Sequence, residues 1–186
     1  MTHIPSYRYP VMGFMAYSGT GKTTLIEKLL SYLTERGLKV TVIKHTHHDF
    51  DMDRPGKDSY RHREAGAHEV LLVSDQRWFL MHELRAERNP KIEEQLERIS
   101  PCDLVIVEGF RLAPIPKIEL WRAAHPACQT EPLRANQDPY IVALACPTQD
   151  QEVLNQQLQR SLPLLDLNSH ETVAQFVLDY FGLKTL

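Results

Sequence analysis

Residues 16–24 combine, in a short glycine-rich run, the residue types that bind phosphate. The run reads Ala-Tyr-Ser-Gly-Thr-Gly-Lys-Thr-Thr and matches the pattern GxxxxGK(S/T) except at its first position, where Ala16 replaces glycine. Gly19 and Gly21 would let successive backbone N–H groups converge on phosphate oxygens. The run therefore predicts a loop that binds a nucleoside triphosphate; a glycine-rich turn that caps an ordinary helix is the alternative.

The side chains of this loop suit a triphosphate and Mg²⁺. Lys22 is expected to reach the β- and γ-phosphates, and the Thr23 hydroxyl is expected to bind Mg²⁺. Ser18 and Thr24 would add hydroxyl or backbone contacts to the phosphates. We therefore predict Lys22 as a catalytic residue and a nucleotide-binding set made of Ser18, Gly19, Thr20, Gly21, Lys22, Thr23 and Thr24.

A carboxylate follows the apolar run 104–107. In phosphate-loop proteins the strand beside the loop commonly ends in an acid that holds Mg²⁺ or its water. Glu108 fits that place, and Gly109 after it would let the chain turn sharply. We therefore predict Glu108 as a metal ligand and catalytic residue; an exposed glutamate at a strand end is the alternative.

A polar run over 45–53 contains three histidines and three aspartates. Their spacing matches no standard zinc pattern. We expect a switch-like loop in which Asp49 or Asp53 helps to hold Mg²⁺ through water, with Asp49 as the predicted metal ligand. A solvated polar loop and a transition-metal site are the alternatives. Further along the chain, Lys117 is expected to bring a basic group to the same cleft.

These residues need a scaffold that gathers them in one place. Segments with strand character alternate with helical ones, which predicts an α/β fold of the P-loop NTPase type, with a mainly parallel sheet flanked by helices. Ligands gather at the carboxyl ends of such strands. Strands are expected over 11–16, 38–44, 69–74, 77–84, 103–108, 117–121, 140–145 and 163–167. Helices are expected over 22–36, 57–66, 91–99, 150–160 and 170–182.

Two apolar runs, 70–73 and 77–81, break the alternation of strands and helices. The short turn between them, Ser74-Asp75-Gln76, favours an antiparallel β-hairpin, which needs no crossover helix. Such a hairpin would expose pairing groups and large apolar side chains, so we expect it to serve dimerisation. A hairpin covered by other parts of the same chain is the alternative.

Length and charge limit the range of functions. The 186 residues suffice for a single domain, with 1–10 as an N-terminal extension and the proline-containing stretch 123–139 as a surface loop. With a net charge of −3 the chain is not basic overall, so we do not expect nucleic acid as its main partner. No apolar run is long enough to cross a membrane and the N-terminus lacks a signal core, so we expect a cytoplasmic protein whose three cysteines are reduced.

Several segments together resemble the molybdopterin-guanine dinucleotide biosynthesis adaptor proteins, the MobB family. Their order and spacing span roughly residues 10–122, which makes them far more specific than the phosphate loop alone. The matching segments are 16–24, 43–49, 53–61, 65–67, 76–78 and 104–110.

The resemblance implies a GTP-binding protein with weak GTPase activity that uses Mg²⁺. It also implies a homodimer and an accessory role beside the guanylyltransferase that attaches GMP to molybdopterin, with molybdopterin-handling enzymes as partners. Guanine specificity comes from the resemblance alone, because the chain contains no NKxD sequence, the usual guanine-reading element of GTPases.

Two other function classes fit parts of the sequence. One is a phosphotransferase (kinase) acting on a small metabolite, for which Glu108, Asp49 and Lys117 are the candidates for a catalytic base. The other is a GTPase that delivers a metal ion through the histidines of the 45–53 run. No arginine-rich lid is evident in the sequence, which argues against fast phosphoryl transfer and favours the adaptor.

Overall fold

A computed structural model describes residues 5–46, 52–85 and 90–185. The chain divides into two compact units, one made of residues 1–45 with 91–186 and the other of residues 46–90.

Strands and helices follow one another as the sequence pattern predicts. In chain order the strands are β1 Val11–Met15, β2 Val40–Lys44, β3 Glu69–Val73, β4 Trp78–His82, β5 Leu104–Glu108, β6 Lys117–Leu120, β7 Ile141–Cys146 and β8 Leu164–Asp166. The helices are α1 Lys22–Thr34, α2 Asp58–Glu64, α3 Ile92–Arg98, α4 Pro126–Thr130, α5 Gln151–Gln157 and α6 His170–Phe181. Each predicted strand and helix is present with slightly different ends, and α4 is additional.

The larger unit contains a parallel sheet. Within the described residues this sheet has six strands in the order β2-β5-β1-β6-β7-β8, and every neighbouring pair is parallel. The predicted α/β fold with a mainly parallel sheet is thus confirmed. Because the strands run the same way, their carboxyl ends lie along one edge of the sheet, where α/β proteins bind their ligands.

Helices cover both faces of this sheet because its central strands are apolar on both sides. Met12 and Phe14 of β1 pack into one cluster with side chains of α1 and α6. Val11 lies on the opposite face and packs with Ile92 and Leu96 of α3. Burying one such side chain stabilises the fold by about 1.5–3 kcal/mol. The strand that leads into the phosphate loop is therefore held firmly from both faces.

Residues 123–139 do not form the surface loop that their prolines predicted. The helix α4 and a 3₁₀ turn over Arg134–Asn136 lie within this stretch. Its Cys128, Leu133 and Ala135 side chains are buried in an apolar cluster with residues of β7. The middle of the stretch is therefore part of the core of the larger unit.

Two buried charged residues of β6 hold this stretch in place. The Glu119 carboxylate accepts the backbone N–H of Ala135 at 2.8 Å and that of Arg134 at 3.3 Å. Lys117 Nζ donates to Asp138 Oδ2 at 2.7 Å. Buried charges are stable only when they are paired or hydrogen-bonded, so the stretch folds onto the strand that carries them.

Stability should depend on pH through Glu119. Burial raises its pKa from 4.5 to about 7, against the opposing effect of its two backbone N–H donors. The folded state therefore holds this proton more tightly than the unfolded chain, and the stabilisation is complete below pH 4.5 and is lost as the pH rises through 7. We expect the free energy of unfolding to fall with pH more steeply in the wild type than in Glu119→Gln. Urea unfolding at about pH 5, 6 and 8 measures both slopes, and equal slopes would contradict the expectation.

The smaller unit, described over 52–85, consists of α2 followed by the antiparallel pair β3 and β4. The strands meet at a tight turn, where the backbone N–H of Ser74 donates to Arg77 O at 2.8 Å. The predicted β-hairpin is thus confirmed. Large apolar side chains on it are exposed, namely Leu71, Leu72, Val73, Trp78 and Leu80.

None of the helices in the described parts of the chain is long and apolar enough to cross a membrane.

Candidate functional site

The phosphate loop connects the centre of the parallel sheet to α1. The strand β1 ends at Met15, and α1 begins at Lys22 with Gly21 as its N-cap. Gly19 and Gly21 have φ angles of +87° and +102°, which glycine adopts at little steric cost. The glycine-rich run therefore has the strand-loop-helix setting that the sequence predicted.

The N-terminus of α1 leaves backbone N–H groups for an anion. Leu25 N–H donates to Gly21 O at 3.0 Å, and no described side chain caps the helix. The first N–H groups of an α-helix have no partner within the helix and carry partial positive charge. The side chains of Thr23 and Thr24 are exposed at this end. The helix end thus fits the oxygens of a phosphate group.

Thr20 stabilises the loop from inside. It is buried, and its N–H and its hydroxyl both donate to Tyr17 O, at 3.2 and 2.8 Å. Its neighbours Ser18 and Gly19 are exposed. The Thr20 hydroxyl is therefore engaged within the loop, whereas the two residues before it are accessible to a ligand.

Three charged side chains meet beside the loop. Glu108 ends β5, the neighbour of β1, and its Oε1 lies 3.5 Å from Lys22 Nζ and 3.6 Å from Lys44 Nζ. Lys44 is the register partner of Glu108 across β2 and β5. The Glu108 side chain is 13% exposed and that of Lys44 is 61% exposed. The structure therefore brings together the two predicted catalytic residues and adds a second cation.

The predicted Mg²⁺ ligands are chemically suited to that ion. Mg²⁺ prefers oxygen ligands such as carboxylates, hydroxyls and water. Glu108 supplies a carboxylate at the sheet edge, and Thr23 supplies a hydroxyl in the first turn of α1. Asp49, the third predicted ligand, lies outside the described residues, as do His47 and His48, so its role stays a prediction.

Arg122 and His125, which follow β6, also contact the loop. Arg122 Nε donates to Thr20 O at 2.9 Å, and His125 Nε2 lies 2.9 Å from Ser18 O. A Cβ on Gly21 would lie 3.7 Å from Arg122 Nη2, which places the guanidinium beside the start of α1. Two side chains from another part of the chain thus hold the loop backbone, and one of them carries a permanent positive charge.

Sequence reasoning missed these two residues because their position depends on the order of the strands. Arg122 comes just after β6, and β6 pairs with β1, so the segment after β6 emerges next to the phosphate loop. An arginine immediately after a predicted strand was the available signal. It became informative only once β6 was known to neighbour β1.

The turn after Glu108 requires glycine. Gly109 has a φ of +98°, and a Cβ on it would lie 2.6 Å from His45 O. His45 N–H donates to Glu108 O at 2.8 Å. These contacts fix the end of β5 against the residue that follows β2, and they therefore fix the position of the Glu108 carboxylate.

Lys117 and Asp53 are the other two residues that the sequence predicted for the site. The expectation that Lys117 faces the cleft is wrong, because it is buried and its Nζ donates to Asp138 Oδ2 and to Arg111 O. It begins β6, whereas the phosphate loop follows the end of β1. Asp53 belongs to the smaller unit, where its Oδ1 accepts the Ser59 hydroxyl at 2.8 Å.

Known proteins match this chain over most of its length. Residues 11–147 match the family model described as molybdopterin guanine dinucleotide synthesis protein B, MobB. The molybdopterin-guanine dinucleotide biosynthesis adapter protein of Escherichia coli (strain K12) is 41% identical over 175 residues, which are 92% of this chain and 93% of the relative. The protein of the same name from Haemophilus influenzae is 41% identical over 174 residues, which are 90% of this chain and 87% of the relative.

The fold has a counterpart among solved structures. A crystal structure of molybdopterin-guanine biosynthesis protein B matches with a TM-score of 0.67 and 25% identity, covering 91% of this chain and 99% of the other. The residues matched by the family model include the phosphate loop, Glu108, Arg122 and His125. Similarity therefore extends over the whole candidate site of the larger unit.

Proposed function

This chain belongs to the MobB family, and we propose that it acts as a GTP-binding adapter in the biosynthesis of molybdopterin guanine dinucleotide. The observation that carries the proposal is the phosphate loop at the uncapped N-terminus of α1, with Lys22 and Glu108 paired beside it. The relatives that cover most of the chain are adapter proteins by name. A phosphate site in such a protein is best explained as a site whose nucleotide state controls docking.

The nucleotide is proposed to be GTP with Mg²⁺. The phosphate loop supports a nucleoside triphosphate, and the dinucleotide named for the relatives contains guanine, which favours GTP over ATP. Thr23 and Glu108 would hold Mg²⁺, directly or through its water. When bound, the ion would neutralise part of the charge on the phosphate oxygens.

Residues of this chain account for triphosphate binding and for slow hydrolysis. The Lys22 ammonium would contact the β- and γ-phosphates, and the N–H groups at the start of α1 would donate to their oxygens. The Glu108 carboxylate would then retain Lys44 as its counter-ion, 3.6 Å away. We propose weak rather than fast GTPase activity, because the Glu108 carboxylate is held by Lys22 and Lys44 and is not free to orient an attacking water.

Arg122 is proposed to position the loop and to add positive charge near the phosphates. Arg122→Ala should lower the rate of GTP hydrolysis about 10-fold, the effect expected when one hydrogen bond to a charged group is lost. Arg122→Lys should restore part of kcat, because the charge remains and the fixed guanidinium geometry is lost. Arg36→Ala is the matched control, since Arg36 follows the C-terminal end of α1, opposite the loop, and its Nη1 donates to Tyr32 O. Equal kcat and KM in Arg122→Ala and the wild type would contradict the role.

The exposed hairpin is proposed as the surface for a homodimer. Val73 and Trp78 are register partners beside its turn, and they are 73% and 64% exposed. Exposed apolar side chains on a two-stranded sheet are costly unless another chain covers them. Sedimentation equilibrium of the full chain measures the oligomeric state, and a monomer at all concentrations would contradict the dimer.

The guanylyltransferase that attaches GMP to molybdopterin is the proposed partner, together with molybdopterin-handling enzymes.

We propose that the protein acts in the cytoplasm, a reducing compartment in which cysteines stay unpaired. Cys102, Cys128 and Cys146 are free thiols, and burial raises the pKa of Cys146 to about 12, which keeps that thiol protonated and unreactive.

The alternative of a phosphotransferase acting on a small metabolite is not favoured. Of its three candidate bases, Lys117 is buried in an ion pair with Asp138, and Glu108 is paired with Lys22. The relatives that cover 92% and 90% of the chain are adapter proteins by name. A kinase would also transfer phosphate without any protein partner, which gives a clear experimental distinction.

Nucleotide binding and turnover together test the proposal. GTP should bind more tightly than ATP in the presence of Mg²⁺, as measured by calorimetry with both nucleotides. GTP turnover should be slow for the protein alone and should rise only when both the guanylyltransferase and molybdopterin are added. Preference for ATP would contradict the nucleotide assignment, and phosphate transfer to a metabolite by the protein alone would contradict the adapter role.

A further inference from the structure

We propose that the smaller unit binds one divalent transition-metal ion, such as Zn²⁺, through His68, Glu69 and His82 at the open end of the β-hairpin. The donor atoms of these three side chains all lie within 4.8 Å of one another. Glu69 opens β3 and His82 ends β4, and the two are direct register partners. The site therefore lies away from the tight turn, at the end where the two strands enter and leave the hairpin.

The three side chains are already arranged around a common point. His82 Nδ1 lies 2.7 Å from Glu69 Oε1. The His68 ring meets the His82 ring edge to face, with 4.5 Å between the centroids. His68 precedes β3, so it does not follow the strand alternation that would turn it away from Glu69. The backbone at this end is fixed by Glu83 N–H, which donates to His68 O.

The donor set is one that Zn²⁺ accepts. Zinc bonds imidazole nitrogen and carboxylate oxygen at about 2.0–2.2 Å, so tetrahedral ligand atoms lie about 3.4 Å apart. The pair His82 Nδ1 and Glu69 Oε1, now 2.7 Å apart, would have to separate slightly, and the other donor atoms lie no more than 4.8 Å apart. Rotations of the exposed Glu69 and His68 side chains can supply both changes. Three protein ligands leave the fourth tetrahedral position for water. Two imidazoles and one carboxylate also suit other borderline divalent ions, such as Co²⁺ or Ni²⁺.

A surface ion pair between His82 and Glu69 explains only part of this arrangement. Such a pair contributes little to stability, and it needs no third residue. The second imidazole, His68, is what distinguishes a chelating cluster from a pair. Arg63 of α2 is paired with Glu83, the residue after His82, at 3.5 Å, so its charge is compensated.

Metal binding would stabilise the hairpin. A two-stranded sheet is marginally stable without further support. An ion held by the first residue of β3 and the last residue of β4 would join the two strands at the end opposite the turn. The exposed apolar surface at Leu71 and Trp78 would then be presented on a more rigid element.

Titration of the metal-free full-length protein with Zn²⁺ tests the site. We expect one ion per chain with micromolar or tighter affinity, measured by competition with a chromogenic chelator. His82→Ala and Glu69→Gln should each weaken binding at least about 10-fold, because loss of even a hydrogen-bond partner of a metal ligand costs about 10–100-fold. Added Zn²⁺ should also slow amide hydrogen exchange in β3 and β4 of the wild type, and this effect should be lost in both variants.

Two controls separate this site from other histidines. His62→Ala removes an exposed histidine of α2 outside the cluster and should leave the affinity unchanged. A double variant His47→Ala with His48→Ala should also bind normally. Circular dichroism establishes that each variant is folded, and unchanged GTP affinity is a second check for the His62, Glu69 and His82 variants. The site is overturned if the wild type binds no Zn²⁺ tighter than about 10 μM, or if affinity depends on His47 and His48 and not on His82.

Discussion

Lys22→Ala is expected to weaken GTP binding by about 100-fold and to remove measurable hydrolysis. Lys22 is the cation that the loop itself carries, and its side chain is 21% exposed at the start of α1, within reach of a ligand. Loss of one charge-assisted contact to a phosphate costs about 2–3 kcal/mol, which corresponds to the stated change in affinity. The variant also leaves Glu108 with Lys44 alone as its counter-ion, which adds local negative charge where the triphosphate binds.

Calorimetric titration with GTP and Mg²⁺ measures this effect directly. Lys28→Ala is the matched control, because Lys28 is an exposed lysine of the same helix that lies beyond its first turn. The control should bind GTP as the wild type does, and both variants should unfold at similar temperatures. Wild-type affinity and turnover in Lys22→Ala would show that the loop does not hold the triphosphate.

The fold could be predicted because it depends on patterns that are local in sequence. The strand β1 and the stripe of Leu25, Ile26, Leu29 and Leu33 on α1 are apolar where the structure buries them. The hairpin was predictable for the same reason, since two apolar runs flank a short polar turn. The phosphate loop carries its own signature between these elements, so its setting followed from neighbouring residues alone.

The features that escaped prediction depend on contacts between distant parts of the chain. The sequence predicted a loop over 123–139 because the residues that hold this stretch against the sheet, Lys117 and Glu119, are charged residues in a strand. Charged side chains in a sequence normally indicate a solvent-exposed position. The burial of Lys117 is stable only because it pairs with Asp138, and that of Glu119 only because it accepts two backbone N–H groups.

The neighbours of the loop and the histidine cluster escaped for a related reason. Arg122 reaches the loop through strand order, and the metal-binding cluster needs the register that places Glu69 opposite His82. The hydrophobic periodicity of a single segment predicts neither the strand order nor the register. Residues of ordinary type in ordinary positions therefore become informative only after the strands are paired.

Gly109→Ala is expected to destabilise the protein by about 2–4 kcal/mol, lowering Tm by roughly 10 °C, and to weaken GTP binding at the same time. A positive φ of +98° disfavours any residue with a Cβ. The new Cβ would also lie 2.6 Å from His45 O, a backbone atom that cannot rotate away. Relief requires separating the end of β5 from the residue after β2. That movement would stretch the hydrogen bond from His45 N–H to Glu108 O and would displace the Glu108 carboxylate from Lys22.

Gly182→Ala separates backbone strain from the clash. Gly182 also has a positive φ, +64°, but nothing lies within 4 Å of the position that its Cβ would occupy. It is the C-cap of α6, and no residue of the phosphate loop lies within 4 Å of that Cβ position. This variant should lose only about 1 kcal/mol and should bind GTP normally, because its cost is conformational and local. Thermal unfolding and GTP titration of both variants provide the comparison. If the two variants lose equal stability and both keep wild-type affinity, the contact between Gly109 and His45 does not position Glu108.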